Sequence, residues 1–208
     1  MSRPLVISDC DEVLLHMIVP FKHWLEESQG VSFHLEGNNF GTAMRWHEND
    51  ELVEQKDIWR LLNSFFDTEM HRQMPIDGAI HGINRLAEDC DVVILTNLLD
   101  KRRENRARQL ADHGVHARVF TNQGPKGPTL KAIIEEYRPS KAIFIDDLAQ
   151  HHQSAAETVT GLTQLHLCGE PMISGQIPCA HEAGHAHARI DNWAEALPWL
   201  LGQLEKDD

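Results

Sequence analysis

The sequence predicts an α/β fold, a doubly wound parallel sheet with a small, mostly helical cap inserted after the first strand. Three observations carry that reading. Leu5-Val6-Ile7, Val92-Val93-Ile94-Leu95 and Ala142-Ile143-Phe144-Ile145 are short apolar runs of the kind that become strands buried on both faces. Segments of helical periodicity alternate with the later runs, the pattern of a parallel sheet covered by helices. All three runs end in polar side chains: Asp9 and Asp11, Thr96 and Asn97, Asp146 and Asp147. Open α/β sheets carry their chemistry just beyond the carboxyl ends of the strands, so these ends point to one place.

At 208 residues the chain has the length for one domain with a modest insertion. Its net charge of -13 at pH 7 argues against nucleic acid or an anionic membrane surface as a partner. An anionic substrate would need local positive charge, from a bound metal or a placed lysine. Cys10, Cys90, Cys168 and Cys179 form no Cys-x-x-Cys pair, and no apolar signal segment precedes the first strand. A cytoplasmic location is therefore expected. No stretch approaches the roughly 18 apolar residues of a membrane span.

The first run closes on Asp9-Cys10-Asp11. A strand continuing past Asp9 puts both acids on one face; a tight turn aims both at a common centre. Either way, two converging carboxylates repel unless a cation or a shared proton relieves them. The pattern then changes. Pro20 reads as opening a short helix with Phe21, Trp24 and Leu25. The Gly- and Asn-rich stretch 30–42 reads as loops or strand fragments, and Ile58, Leu61, Leu62 and Phe65 mark a second helix. Trp24, Trp46 and Trp59 are expected in the core of this block. The predicted division is a core of residues 1–15 and 75–208 and a cap of residues 16–74. His16, His23, Asn38, Asn39, Arg45 and His47 are the cap's polar candidates for reaching the site. From Pro75 the alternation resumes, with a basic helix around 101–110 and a Gly-Pro break at 124–128 that holds Lys126 before a further helix.

Taken in order, these motifs resemble the haloacid dehalogenase (HAD) superfamily of phosphohydrolases. The family shows an Asp-x-Asp after the first strand, here Asp9-Cys10-Asp11. It shows a Thr or Ser ending a second apolar strand, here Thr96, and a lysine before a late helix, for which Lys126 is a better candidate than Lys131. It ends with an acidic pair after a strand, here Asp146 and Asp147. The resemblance spans roughly residues 4–160. It implies a Rossmann-like core and an Mg²⁺-dependent phosphatase that releases phosphate from a small phosphorylated metabolite or nucleotide through an aspartyl phosphate. Asp9 would be the nucleophile and Asp11 the general acid and base. Mg²⁺ would be held by Asp9, the backbone carbonyl of Asp11 and Asp147, with Asp146 orienting a metal-bound water. Thr96 and the backbone amide of Asn97 would hold phosphoryl oxygens, and Lys126 would offset the charge around Asp9. Asp147 is favoured over Asp146 as direct ligand because family variants with one acid place it after a glycine, which aligns with Asp146.

A competing motif lies near the end of the chain. His181-Glu182-Ala183-Gly184-His185 carries the His-Glu-x-x-His pattern of zinc peptidases, whose histidines share one face of a helix. Gly184 inside that segment and Pro178 before it count against a helix. A weaker transition-metal site at Cys179, His181, His185 and His187 is the milder form of the same reading. The remaining alternative is a non-catalytic phosphate- or partner-binding protein of the same fold; the presence of both Asp9 and Asp11 favours catalysis.

Overall fold

A computed structural model describes residues 2–35 and 39–206; Gly37 and Asn38 of the predicted cap lie outside the described residues. The first strand, β1 (Leu5–Ser8), is buried along its whole length. It leads through the Asp9–Glu12 turn to α1 (Ile18–Trp24), which continues as a π-helical turn over Leu25–Gln29. A small antiparallel pair, β2 (Val31–Phe33) and β3 (Met44–Trp46), flanks the short α2 (Phe40–Ala43). The long helix α3 (Gln55–Thr68) follows. Alternation then begins with α4 (Ala79–Asp89), β4 (Asp91–Thr96), α5 (Arg103–Asp112) and β5 (Arg118–Thr121). It continues through α6 (Gly127–Tyr137), β6 (Ala142–Asp146), α7 (Ala149–Thr158) and β7 (Thr163–His166), then α8 (Pro171–Ser174), β8 (Ala188–Arg189) and α9 (Trp193–Glu205).

Six parallel strands form the sheet in the order β5-β4-β1-β6-β7-β8. Alternation along β1 assigns each side chain to a layer. Val6 faces a cluster with Ile83, Leu86, Trp193 and Leu200, from α4 and α9. Leu5 and Ile7 face Leu130, Ile133 and Ala155, from α6 and α7. Helices on both faces and a central β1 are the doubly wound arrangement that the apolar runs predict. β7 is an addition to that reading: its Thr-Gln-Leu-His sequence carries no continuous apolar run, because Gln164 and His166 are buried as polar partners of the neighbouring elements.

The inserted segment leaves and re-enters the sheet layer through adjacent chain crossings. The His16 N–H donates to the Met74 carbonyl at 2.9 Å, and the Ile76 N–H donates to the Leu14 carbonyl at 2.9 Å. Its own apolar cluster joins Phe21, Trp24, Phe33, Ile58, Leu61 and Phe65 with Cys168, Ile173 and Ile177 from the region of α8. Trp24 is buried there, but Trp59 is 58% exposed. The expectation that Trp59 belongs to the core is therefore wrong: it stands beside the buried Ile58-Leu61-Phe65 stripe of α3, not on it. At the other end of the chain, Asn192 caps α9 by accepting the Glu195 N–H at 2.9 Å, and the Trp193 indole donates to the Val13 carbonyl at 2.8 Å. Among the described residues, no helix is long and apolar enough to cross a membrane.

Candidate active site

Three neighbouring strands deliver their carboxyl ends to one point. Asp9 follows β1, Asp146 ends β6 with Asp147 next to it, and Thr96 ends β4. Carboxylate oxygens of Asp9, Asp146 and Asp147 all lie within 4.8 Å of one another, and all three residues are buried. Lys126 stands between two of them. Its ammonium donates to Asp9 Oδ1 at 2.8 Å and to Asp146 Oδ2 at 2.7 Å. It is placed there by a close approach of α6 to α7: a Cβ on Gly127 would fall 2.3 Å from the Ser154 carbonyl oxygen. Only glycine lets the helix start that near.

One buried lysine against three buried carboxylates leaves negative charge unbalanced. Burial raises the Asp9 carboxyl to about 7, with Lys126 opposing it. Burial raises Asp147 well above the usual carboxylate range, reinforced by Asp146 and Asp9. At Asp146 burial also acts upward, but Lys126, His151 and His152 outweigh it and hold the group low. The three acids also differ in engagement. Asp146 has both oxygens occupied, by Lys126 and by the Leu148 N–H at 2.9 Å. No side-chain hydrogen bond reaches the Asp147 carboxylate among the described residues, and that carboxylate lines the open cavity beside Asp9. An oxygen-rich set with surplus negative charge and one free carboxylate fits a hard divalent cation.

Asp11 sits across the turn, its side chain 18% exposed and lining the same cavity. Arg106 Nη2, fully buried on α5, donates to both of its carboxylate oxygens at 2.9 and 3.2 Å, and Gln73 Nε2 donates at 2.6 Å. The Thr96 hydroxyl reaches Asp11 Oδ2 only at 3.5 Å. Asn97 is exposed at the cavity mouth; its side-chain amide donates to the Gly124 carbonyl at 3.0 Å and its carbonyl accepts from Asn122 at 2.8 Å. Glu12, next in the turn, adopts a left-handed backbone (φ 60°) and accepts the Met17 and Ile18 N–H groups that open α1.

Several residues of this site are not flagged by the sequence reasoning. Arg106 reads there only as part of a basic helix. The signal available was its position: Arg102 just before α5, then Arg106 and Leu110 on it, recur every four residues along one buried line where apolar residues are expected. Two histidines hold the acidic pair from behind. His152 Nε2 donates to the Asp146 carbonyl at 3.0 Å, and His166 Nε2 donates to the Asp147 carbonyl at 2.7 Å. His166 Nδ1 accepts the Ala180 N–H, and burial lowers its pKa to about 4, so the ring is neutral with its proton on Nε2. The competing zinc motif is dismantled by the backbone. Residues 181–184 are turns, so His181 and His185 share no helical face. His181 Nδ1 instead bonds to the Ala186 carbonyl, and His187 Nδ1 accepts the Gln164 N–H.

In front of Asp9, Asp11 and Asp147 opens a cavity of about 370 Å³, walled on its far side by α3 and the start of α1. No protein-family model and no curated protein sequence matches the chain. Solved structures do. A haloacid dehalogenase-like family hydrolase from Streptococcus pneumoniae superposes with a TM-score of 0.66 at 12% identity, over 94% of this chain and 97% of that one. A protein named as a predicted phosphoglycolate phosphatase from Haemophilus somnus gives 0.64 at 9% identity, over 94% and 97%. YfnB from Bacillus subtilis, named as a HAD-hydrolase and solved bound to magnesium, gives 0.64 at 15% identity, over 99% and 100%. The chain has the haloacid dehalogenase-like fold.

Proposed function

We propose that this chain, built on the haloacid dehalogenase-like fold, is an Mg²⁺-dependent phosphomonoester hydrolase working through an aspartyl phosphate on Asp9. One observation carries the reading. The Asp9 carboxylate stands at the end of the central strand, 2.8 Å from a buried lysine and grouped with Asp146 and Asp147, facing an open cavity that Asp11 shares. In this reading Asp9 attacks phosphorus, forming a phosphorus–oxygen bond as the ester's leaving oxygen departs. Asp11, steadied by Arg106 and Gln73, gives that oxygen a proton. It then takes a proton from the water that hydrolyses the acyl phosphate. Lys126 offsets charge on Asp9 and Asp146, and Thr96 with the Asn97 backbone amide receives phosphoryl oxygens. Asp9, Asp147 and the Asp11 backbone carbonyl would hold Mg²⁺, with Asp146 behind them. When bound, the cation supplies charge neutralisation at the phosphoryl group. Residues 16–74 act as the cap that bounds the cavity, leaving 1–15 and 75–208 as the core.

The test is release of inorganic phosphate from a panel of small phosphomonoesters, with Mg²⁺ or with EDTA, beside Asp9→Asn. The expected result is turnover that EDTA removes and that Asp9→Asn loses by at least about a thousandfold, with an unchanged circular dichroism spectrum. Turnover retained in Asp9→Asn would mean that another group attacks phosphorus.

A further inference from the structure

The cavity states which esters it fits. Helix α3 carries two apolar stripes, not one. Ile58, Leu61 and Phe65 are buried in the insertion's core, with Ile58 also meeting the cavity, whereas Trp59, Leu62 and Phe66 recur at i, i+3 and i+7 one step around the helix and line the cavity, Leu62 and Phe66 packing in part against that core. Packing explains the first stripe. The second leaves Trp59 largely exposed, and such exposed aromatic surface beside a cavity marks a ligand contact. Met17, Ile18 and Ile173 extend the apolar wall. The charged side chains that line the cavity, among the described residues, are Asp9, Asp11, Glu12 and Asp147, all acids. Lys126 is sealed behind Asp9, and Arg106 is bound to Asp11. The other polar side chains of the lining are Gln55, Asn97, Gln150 and His151, so a second phosphate or a carboxylate on the substrate would meet acids, amides and hydrocarbon but no lysine or arginine.

We infer that the site takes phosphomonoesters whose leaving group is uncharged and mainly apolar, an aryl or medium-chain alkyl group seated against Trp59, Leu62 and Phe66. This rests on the phosphatase reading and narrows it, setting such esters above nucleotides and sugar bisphosphates.

The test compares kcat/KM for methyl, butyl, hexyl, phenyl and 1-naphthyl phosphate with adenosine monophosphate and fructose 1,6-bisphosphate, with acetyl phosphate as a minimal donor. Along the alkyl series kcat/KM should rise roughly fourfold per methylene until the cavity is filled, from the transfer free energy of a buried methylene. Trp59→Ala should compress the ratio of 1-naphthyl to methyl phosphate at least fivefold. A flat series, or preference for the charged esters, would overturn the inference while leaving the phosphatase reading in place. If acetyl phosphate and every ester are inert, the phosphatase reading fails on its own. The pocket is then judged by tryptophan fluorescence titration with 1-naphthylmethylphosphonate against methylphosphonate. Tighter binding of the aryl compound, weakened by Trp59→Ala, supports the apolar seat; equal binding overturns it.

Discussion

At the scale of single residues, the site holds opposing charges at close quarters. Asp9, Asp146 and Asp147 are crowded together in a buried position with one lysine among them. Such a cluster destabilises the protein that contains it until a cation arrives. Asp147→Asn should therefore melt no lower than the wild type in EDTA, and should lose the stabilisation that Mg²⁺ would give in the proposed site. For the wild type at a hundred times Kd that stabilisation is about 2.7 kcal/mol, or roughly 5–10 °C for a chain of this size. Differential scanning fluorimetry with and without Mg²⁺ reads both effects. A lower melting point in EDTA would show that Asp147 is held by favourable contacts instead. The acids, Thr96 and Lys126 were legible in the sequence because each follows an apolar strand or a glycine-proline break. Arg106, Gln73, His152 and His166 were not. Arg106 and Gln73 reach Asp11 across 95 and 62 positions of chain, His166 lies on a strand whose buried residues are polar, and His152 is a buried polar residue of α7 that no apolar periodicity marks.

At the scale of elements, strand and helix periodicity located the central sheet strands and most of the core helices. β7, between β6 and the edge strand β8, shows the limit of that reading. Its Gln164 and His166 are buried where apolar side chains would mark a strand. The junction of α6 and α7 has a sharper requirement. Ala at position 127 would press its methyl into the Ser154 carbonyl and the Thr158 hydroxyl, and neither backbone has room to yield cheaply. Gly127→Ala should lose about 1–3 kcal/mol in urea unfolding, the usual cost of overpacking. Because Lys126 precedes it directly, kcat should fall as well. A stable, fully active variant would mean that α6 shifts without disturbing the lysine.

For the molecule as a whole, the insertion is tied to the sheet layer by a polar clamp as well as by its aromatic core. Arg102, buried before α5, donates through Nε to Asp67 Oδ1 at 2.6 Å and through Nη1 to Asn63 Oδ1 at 2.9 Å, both on α3. The hydrogen bond from Arg102 is the main cause that holds the Asp67 carboxyl down at about 2, below its ordinary 3.8. An acid depressed on folding contributes stability above its unfolded pKa and loses it as pH falls through the folded one. The clamp is therefore complete above about pH 4 and fades towards pH 2. Asp67 is 40% exposed, so solvent screening limits the contribution to under about 1 kcal/mol. Chemical denaturation of Asp67→Asn should show that deficit at pH 7 and a shrinking one between pH 4 and pH 2. A deficit that does not change with pH would remove the ionised pair as its source.

Arg102 and Arg106 lie four residues apart, on successive turns of the same stretch of chain. One grips α3 and the other grips Asp11. To the extent that this stretch couples the two grips, a bound molecule that holds α3 more firmly against the core would also hold Asp11 more firmly, and the reverse. In the proposed reaction, choosing a leaving group and protonating it would then share a single lever. A double-mutant cycle on the Kd of 1-naphthylmethylphosphonate between Arg102→Met and Asp11→Asn should give a coupling of at least about 0.5 kcal/mol, although the two side chains share no hydrogen bond. Strict additivity would mean that the lever is slack.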